Sequence, residues 1–205
     1  MQLRKLLEQV DYKVLKGKLD LSVTDVIYDS RKVKKDVAFL CISGTAVDAH
    51  RFIPDAVAKG ASVIVVQKMI EVEGDVTVIQ VESTRKALAL MSAALFDYPA
   101  KKMITIGLTG TKGKTTTTYM IQKMLEEAGK KVGVIGTIGA VINGEKVKTE
   151  NTTPESYELH SLFNEMVEAG CEYVVMEVSS QGLKMDRVAA VSYTHLRAHE
   201  TDQYL

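Results

Sequence analysis

The chain is short of three things: cysteine, net charge and long apolar runs. Its 205 residues include only Cys41 and Cys171, each inside an apolar run and without metal-ligand spacing. That excludes a disulfide scaffold and a cysteine zinc site, and fits two buried thiols in a reducing cytoplasm. Lysine plus arginine number 26 and aspartate plus glutamate 26. With no bulk field, no nucleic-acid partner is expected, and an anionic ligand would need a local site. No apolar run approaches the roughly 20 residues of a membrane span, so no membrane insertion is expected. The first ten residues mix Arg4, Lys5 and Glu8 with leucines, unlike a targeting leader, and a cytoplasmic location follows as the expectation. Internal repeats and low-complexity segments are also missing, which leaves one large or two small ordered domains.

What is there has an α/β rhythm. Residues 37–42, 61–66 and 75–81 are β-branched apolar runs that predict strands, with a helix over 54–59 closed by Gly60. Ser83 is a candidate cap for a helix carrying Leu88, Met91 and Leu95 on one face, which should end before Tyr98 and Pro99. Residues 99–102 then read as a linker between a domain at 1–98 and a second starting at 103. In the second, an apolar strand at 103–108, a glycine-bearing turn, a helix over 114–128 stopped by Gly129 and a strand at 132–135 predict a βαβ unit and a mostly parallel sheet. Asn143-Gly144 between β-prone pairs predicts a hairpin. Leu159, Leu162, Phe163, Met166 and Val167 share a helical face ahead of Gly170 and a strand at 173–178.

The stretch Thr109-Gly110-Thr111-Lys112-Gly113-Lys114-Thr115-Thr116 lies where the first of these strands turns into a helix. That is the setting of a phosphate loop. Gly110 and Gly113 let the amides of Thr111, Lys112 and Thr116 approach phosphate oxygens, the helix start adds its positive dipole end, and Lys114 supplies the cation that meets the transferring phosphate. The Thr115 hydroxyl would hold magnesium. A glycine turn opening a helix is common in any α/β protein, and the usual first glycine is replaced by Leu108. The run Thr115 to Thr118 argues for function, because four β-branched residues start a helix poorly and their hydroxyls need another reason.

Thr-Gly-Thr-x-Gly-Lys-Thr resembles the shortened phosphate loop of the Mur ligase and folylpolyglutamate synthetase superfamily, whose members join a carboxylate to an amine using ATP. Three further motifs resemble its UDP-N-acetylmuramoyl-tripeptide synthetase branch: Asp29-Ser30-Arg31, Asn151-Thr152-Thr153-Pro154, and Glu177-Val178-Ser179-Ser180-Gln181-Gly182-Leu183 with Arg187 beyond it. The resemblance implies an α/β fold with a small nucleotide-sugar-binding domain at 1–98 and an incomplete phosphate-loop ATPase domain at 103–191. It implies ATP and Mg2+ as cofactors, Lys114 as the catalytic cation, and Thr115 and Glu177 as magnesium ligands. It also implies a UDP-N-acetylmuramoyl dipeptide held by Ser30, Asn151, Thr152, Thr153, Ser179 and Arg187, with a diamino acid added by the complete enzyme. Read alone, Glu177 is a strand-end acid, Ser30 and Asn151 are turn formers, and Arg187 is a surface arginine.

The departures from the family pattern are Lys112 for asparagine in the loop, Ala49 for glycine in residues 44–50, and Met185 for glutamine. Residues 192–205 read as a non-family tail, of the kind a frameshift or assembly junction leaves. His195 and His199 within it have helical spacing but no metal-site surroundings. The alternatives that stay open are another ligase of the superfamily and a fragment that binds ligand without turnover.

Overall fold

A computed structural model describes residues 1–44 and 47–199; Thr45 and Ala46 of the 44–50 loop and residues 200–205 of the tail lie outside the described residues. Two compact units divide the chain, Met1–Leu95 and Phe96–Leu205.

In the first unit, the strands are β1 (Tyr12–Lys16), β2 (Asp25–Ile27), β3 (Val37–Leu40), β4 (Val63–Val66) and β5 (Thr77–Val81). They form a sheet in the order β1-β5-β4-β3-β2, parallel except for β1, which runs antiparallel to β5. Period-two alternation divides the central strands between two cores. Phe39, Cys41, Ile64, Val66 and Val78 join one cluster with Ile53 and Ala56 of α2 (Ile53–Ala58). Ala38, Leu40, Val63 and Val65 point the other way and are equally buried. Helices α1 (Leu3–Leu6) and α3 (Thr84–Leu95) pack together and bring Leu3, Leu6, Leu88 and Met91 into the interior. The Ser83 hydroxyl accepts from the Lys86 amide at 3.2 Å, as a cap should.

In the second unit, β6 (Ile104–Gly110), β7 (Val132–Gly136), β8 (Gly139–Ile142), β9 (Glu145–Val147), β10 (Tyr173–Glu177) and β11 (His195–His199) form a sheet in the order β11-β6-β10-β7-β8-β9. The first four in that order are mutually parallel, and β8 and β9 add an antiparallel hairpin. Asn143 and Gly144 at its tip both have positive φ, 50° and 82°, the geometry a two-residue turn demands. One face of the sheet carries Leu108, Val132 and Val175 against Ile121 and Leu125 of α4 (Lys114–Glu127). The opposite face carries Ile135, Val174 and Met176 against Leu159, Phe163 and Met166 of α5 (Ser156–Glu168). Cys171 is buried in this second core, as Cys41 is in the first unit.

Two expectations change. Residues 99–102 are a 3-10 turn whose Pro99 and Ala100 are buried and which packs on α5, so they belong to the core of the second unit and are not a free linker. His195–His199 is neither helical nor apart from the fold: it pairs in parallel with β6, His195 opposite Ile106 and His199 opposite Gly110. The sheet beside β6 supplies the backbone partners, which overrides the polar pattern of that segment.

Candidate functional site

Strand alternation aims the site. Val175 faces α4, so Glu177, two residues on, projects from the same face toward the first turn of that helix. The carboxyl ends of three parallel strands meet there: the loop after β6, Thr137 after β7, and residues 177–179 after β10. This is where open α/β sheets place ligands. The resulting cleft, about 350 Å³, is lined by Thr111, Lys112, Gly113, Lys114, Thr115, Thr116, Thr137, Thr152, Glu177 and Ser179.

Gly113 caps α4 with φ +80°, a conformation that favours glycine. The Lys114 ammonium donates to the Gly110 carbonyl at 2.7 Å, which folds the cation back over the loop. Glu177 is 1% exposed. Its Oε2 accepts from the Thr115 hydroxyl at 3.0 Å and the Thr137 hydroxyl at 3.2 Å, while its Oε1 accepts from the Thr137 amide at 3.0 Å. None of the ion pairs among the described residues involves Glu177. A buried carboxylate satisfied by hydroxyls and one amide, with no cation, is an arrangement that costs free energy unless a cation arrives.

The donor set can be tested for that cation. The Glu177 carboxylate and the Thr115 hydroxyl are hard oxygen ligands, and the described residues contain no group of three or more His, Cys, Asp or Glu able to form a closed cage. This fits magnesium, which binds through one or two protein groups and completes its shell with phosphate and water.

Of the residues named from the sequence as substrate contacts, Thr152 and Ser179 line the cleft, and Thr153 and Arg187 are buried. The Thr152 hydroxyl lies 3.3 Å from that of Thr137. Thr153 is fully buried: its hydroxyl donates to the Glu177 carbonyl at 3.0 Å and accepts from the Ser179 amide at 2.9 Å. Ser179 lines the cleft and also caps the short helix α6 (Ser180–Lys184) by accepting from the Gly182 amide at 3.0 Å. Asn151 is half-buried, and its carbonyl accepts from the Thr149 hydroxyl. Arg187 is not a surface arginine. It is 7% exposed, donates to the Thr153 carbonyl at 3.0 Å and pairs with Glu155 at 2.7 Å. Met185 sulfur lies 3.6 Å from its guanidinium.

Ser30, in the first unit, starts a 3-10 turn capped by Asp29. The Asp29 carboxylate accepts from the Arg31 amide at 3.0 Å and pairs with its guanidinium at 2.7 Å, which holds the Asp29 carboxyl down at about 2. The Ser30 carbonyl accepts from Lys59 at 3.0 Å.

Sequence reasoning missed Thr137 and Glu155. The signal for Thr137 is a polar residue directly after an apolar run that ends in glycine, at the carboxyl end of a parallel strand. Nothing in the sequence pairs Glu155 with Arg187.

A family model described as Mur ligase middle domain matches residues 108–196, and one described as Mur ligase family, catalytic domain, matches residues 22–95. The chain belongs to the Mur ligase family. The middle-domain match continues to residue 196, into the segment that reads from sequence as foreign. Among curated Mur ligases, the chain is 49% identical over 193 residues to UDP-N-acetylmuramoyl-L-alanyl-D-glutamate--2,6-diaminopimelate ligase of Clostridium perfringens (strain 13 / Type A), covering 94% of this chain and 40% of that one. It is 43% identical over 214 residues to the ligase of the same description from Clostridium tetani (strain Massachusetts / E88), covering 98% and 44%. The chain thus spans well under half the length of these relatives. A solved structure of a UDP-N-acetylmuramoyl-L-alanyl-D-glutamate--2,6-diaminopimelate ligase superposes with TM-score 0.80 at 19% identity, covering all of this chain and 41% of that one. The MurF ligase of Thermotoga maritima in complex with ADP gives 0.53 at 21%, covering 83% and 35%. These structural likenesses show the Mur ligase fold.

Proposed function

We propose that this chain carries the nucleotide-sugar-binding unit and the first part of the ATPase unit of a ligase that adds the third amino acid to UDP-N-acetylmuramoyl-L-alanyl-D-glutamate. The relatives' names support diaminopimelate as that residue, over lysine. The observation that carries the reading is the buried Glu177 carboxylate, hydrogen-bonded to Thr115 in the first turn after a phosphate loop. In the complete enzyme the ATP γ-phosphoryl group passes to a carboxylate oxygen of the substrate glutamate, giving an acyl phosphate and ADP. The amine of the incoming amino acid then displaces inorganic phosphate and forms the amide, losing a proton.

The chain's own part is positioning and charge neutralisation. Lys114 leaves the Gly110 carbonyl to meet the phosphate oxygens, joined by the loop amides at the start of α4. Bound by Thr115 and Glu177, magnesium would supply positive charge where two anionic reactants meet. Thr152 and Ser179 offer hydroxyls to the acceptor from the cleft wall, and Arg187 holds that wall through Thr153. Ser30 would contact the uridine end of the substrate in the first unit.

The test is calorimetric titration of the chain with magnesium-ATP and, separately, with the UDP-N-acetylmuramoyl dipeptide. Lys114→Ala should weaken ATP binding about 10- to 100-fold, the worth of one hydrogen bond from a charged group. Ser30→Ala should weaken the dipeptide alone. A folded chain that binds neither ligand refutes the reading.

A further inference from the structure

Glu177 is fixed less by the phosphate loop than by the residue after β7. Of the three hydrogen bonds its carboxylate accepts, two come from Thr137: the amide to Oε1 at 3.0 Å and the hydroxyl to Oε2 at 3.2 Å. The third comes from Thr115. Gly136, immediately before, has no room for a side chain, since a Cβ there would collide with Glu177 Oε1. The backbone of residues 136–137 therefore lies against one carboxylate oxygen, while the Thr137 hydroxyl turns the other toward Thr115. That hydroxyl is also 3.3 Å from the hydroxyl of Thr152, on the segment proposed above to face the acceptor.

We propose that Thr137 is the positioning residue of the magnesium site: its amide and hydroxyl clamp the Glu177 carboxylate so that Oε2 faces the cleft beside Thr115 Oγ1. The inference rests on the magnesium-nucleotide reading given above. The Thr137 amide holds Oε1 and the Thr115 hydroxyl holds Oε2; the Thr137 hydroxyl adds a second donor on Oε2 and so narrows the directions in which that oxygen can face. A carboxylate held in plane before the cation arrives loses less conformational freedom on binding it. Thr137→Val keeps the backbone amide and the side-chain volume but deletes the hydroxyl. Thr137→Ser restores it.

The experiment titrates ADP into the full chain at a series of magnesium concentrations, and in the absence of divalent cation, for the wild type and both variants. Ligand-free unfolding is measured in parallel. The expected result is a requirement for about tenfold more magnesium in Thr137→Val. Metal-free ADP binding should stay unchanged, the unfolding midpoint should fall modestly because the buried Glu177 loses one donor, and Thr137→Ser should return the magnesium requirement to within about twofold. Thr137→Val with the wild-type magnesium requirement overturns the inference and leaves the nucleotide site standing. Loss of metal-free binding as well, or failure of Thr137→Ser to restore, also overturns it, because the effect is then general to the loop. A wild-type chain that binds ADP without any magnesium dependence overturns the magnesium reading and this inference together.

Discussion

The second unit holds two glutamates within one motif's reach of each other, and they are treated in opposite ways. Glu155, at the N-cap of α5, is 19% exposed and meets the guanidinium of Arg187 at 2.7 Å. Glu177, at the end of β10, is almost wholly buried and meets only hydroxyls and an amide. The Arg187 pair links the start of α5, the Thr153 carbonyl and the turn after α6. Glu177 is held in place and left uncompensated on the face that carries the phosphate loop. Two acids of the same kind thus separate the α5 side of the sheet, where the carboxylate is paired with an arginine, from the side that carries the candidate cleft.

Breaking the paired side should produce the largest effect. Arg187→Ala removes the buried guanidinium that meets both Glu155 and the Thr153 carbonyl and is expected to cost about 3–5 kcal/mol in denaturant unfolding, the range for breaking a buried pair. A loss below 1 kcal/mol would put the pair in the same class as surface bridges.

The α5 side has a second, titratable element. His160 is fully buried, neither ring nitrogen has a hydrogen-bond partner, and its ring packs edge-on to Phe163 at 5.8 Å. Burial pushes its pKa down from the ordinary 6.5 to about 4. Between those values the unfolded chain binds the proton and the folded one does not. Stability should therefore be full above pH 6.5 and fall as pH drops toward 4, by about 3 kcal/mol. Unfolding curves of His160→Leu should lack that component of the acid slope; an unchanged slope would assign it to other groups.

Glu177→Gln sharpens the contrast by sign. Removing an unpaired buried charge while keeping its shape should raise metal-free stability by about 1–3 kcal/mol and abolish any magnesium dependence of nucleotide binding. A fall in stability would mean that Glu177 is a structural acid like Glu155.

The smallest effect belongs to the hairpin, remote from both acids. Gly144→Ala at φ 82° should cost about 1–2 kcal/mol and leave ligand binding untouched, as read by unfolding and calorimetry.

The elements legible in the sequence are those whose apolar pattern is set locally. The βαβ unit from β6 to β7, the amphipathic α5 and the Asn-Gly turn follow from periodicity and turn chemistry. Strand β1 does not, because Tyr12, Lys13, Val14 and Lys16 are exposed and it is held by antiparallel pairing to β5. With three residues, β2 shows no period at all. Residues 99–102 look like a linker because proline and lysine dominate them, yet Pro99 and Ala100 are buried against a helix more than 50 positions away in sequence. At the candidate site, the loop and Glu177 carry their own signature. Thr137 enters only through parallel register, which sets the ends of β7 and β10 side by side, and no local pattern encodes that neighbour.

The two buried cysteines have a practical corollary. Burial pushes the Cys41 thiol up to about 12 and raises that of Cys171, so neither holds appreciable thiolate near neutrality. An alkylating dye should pass both by while the fold is intact. A cysteine installed at exposed Lys112 would then be the single fast-labelling position, giving an optical probe at the mouth of the phosphate cleft in a chain that has no tryptophan emission of its own.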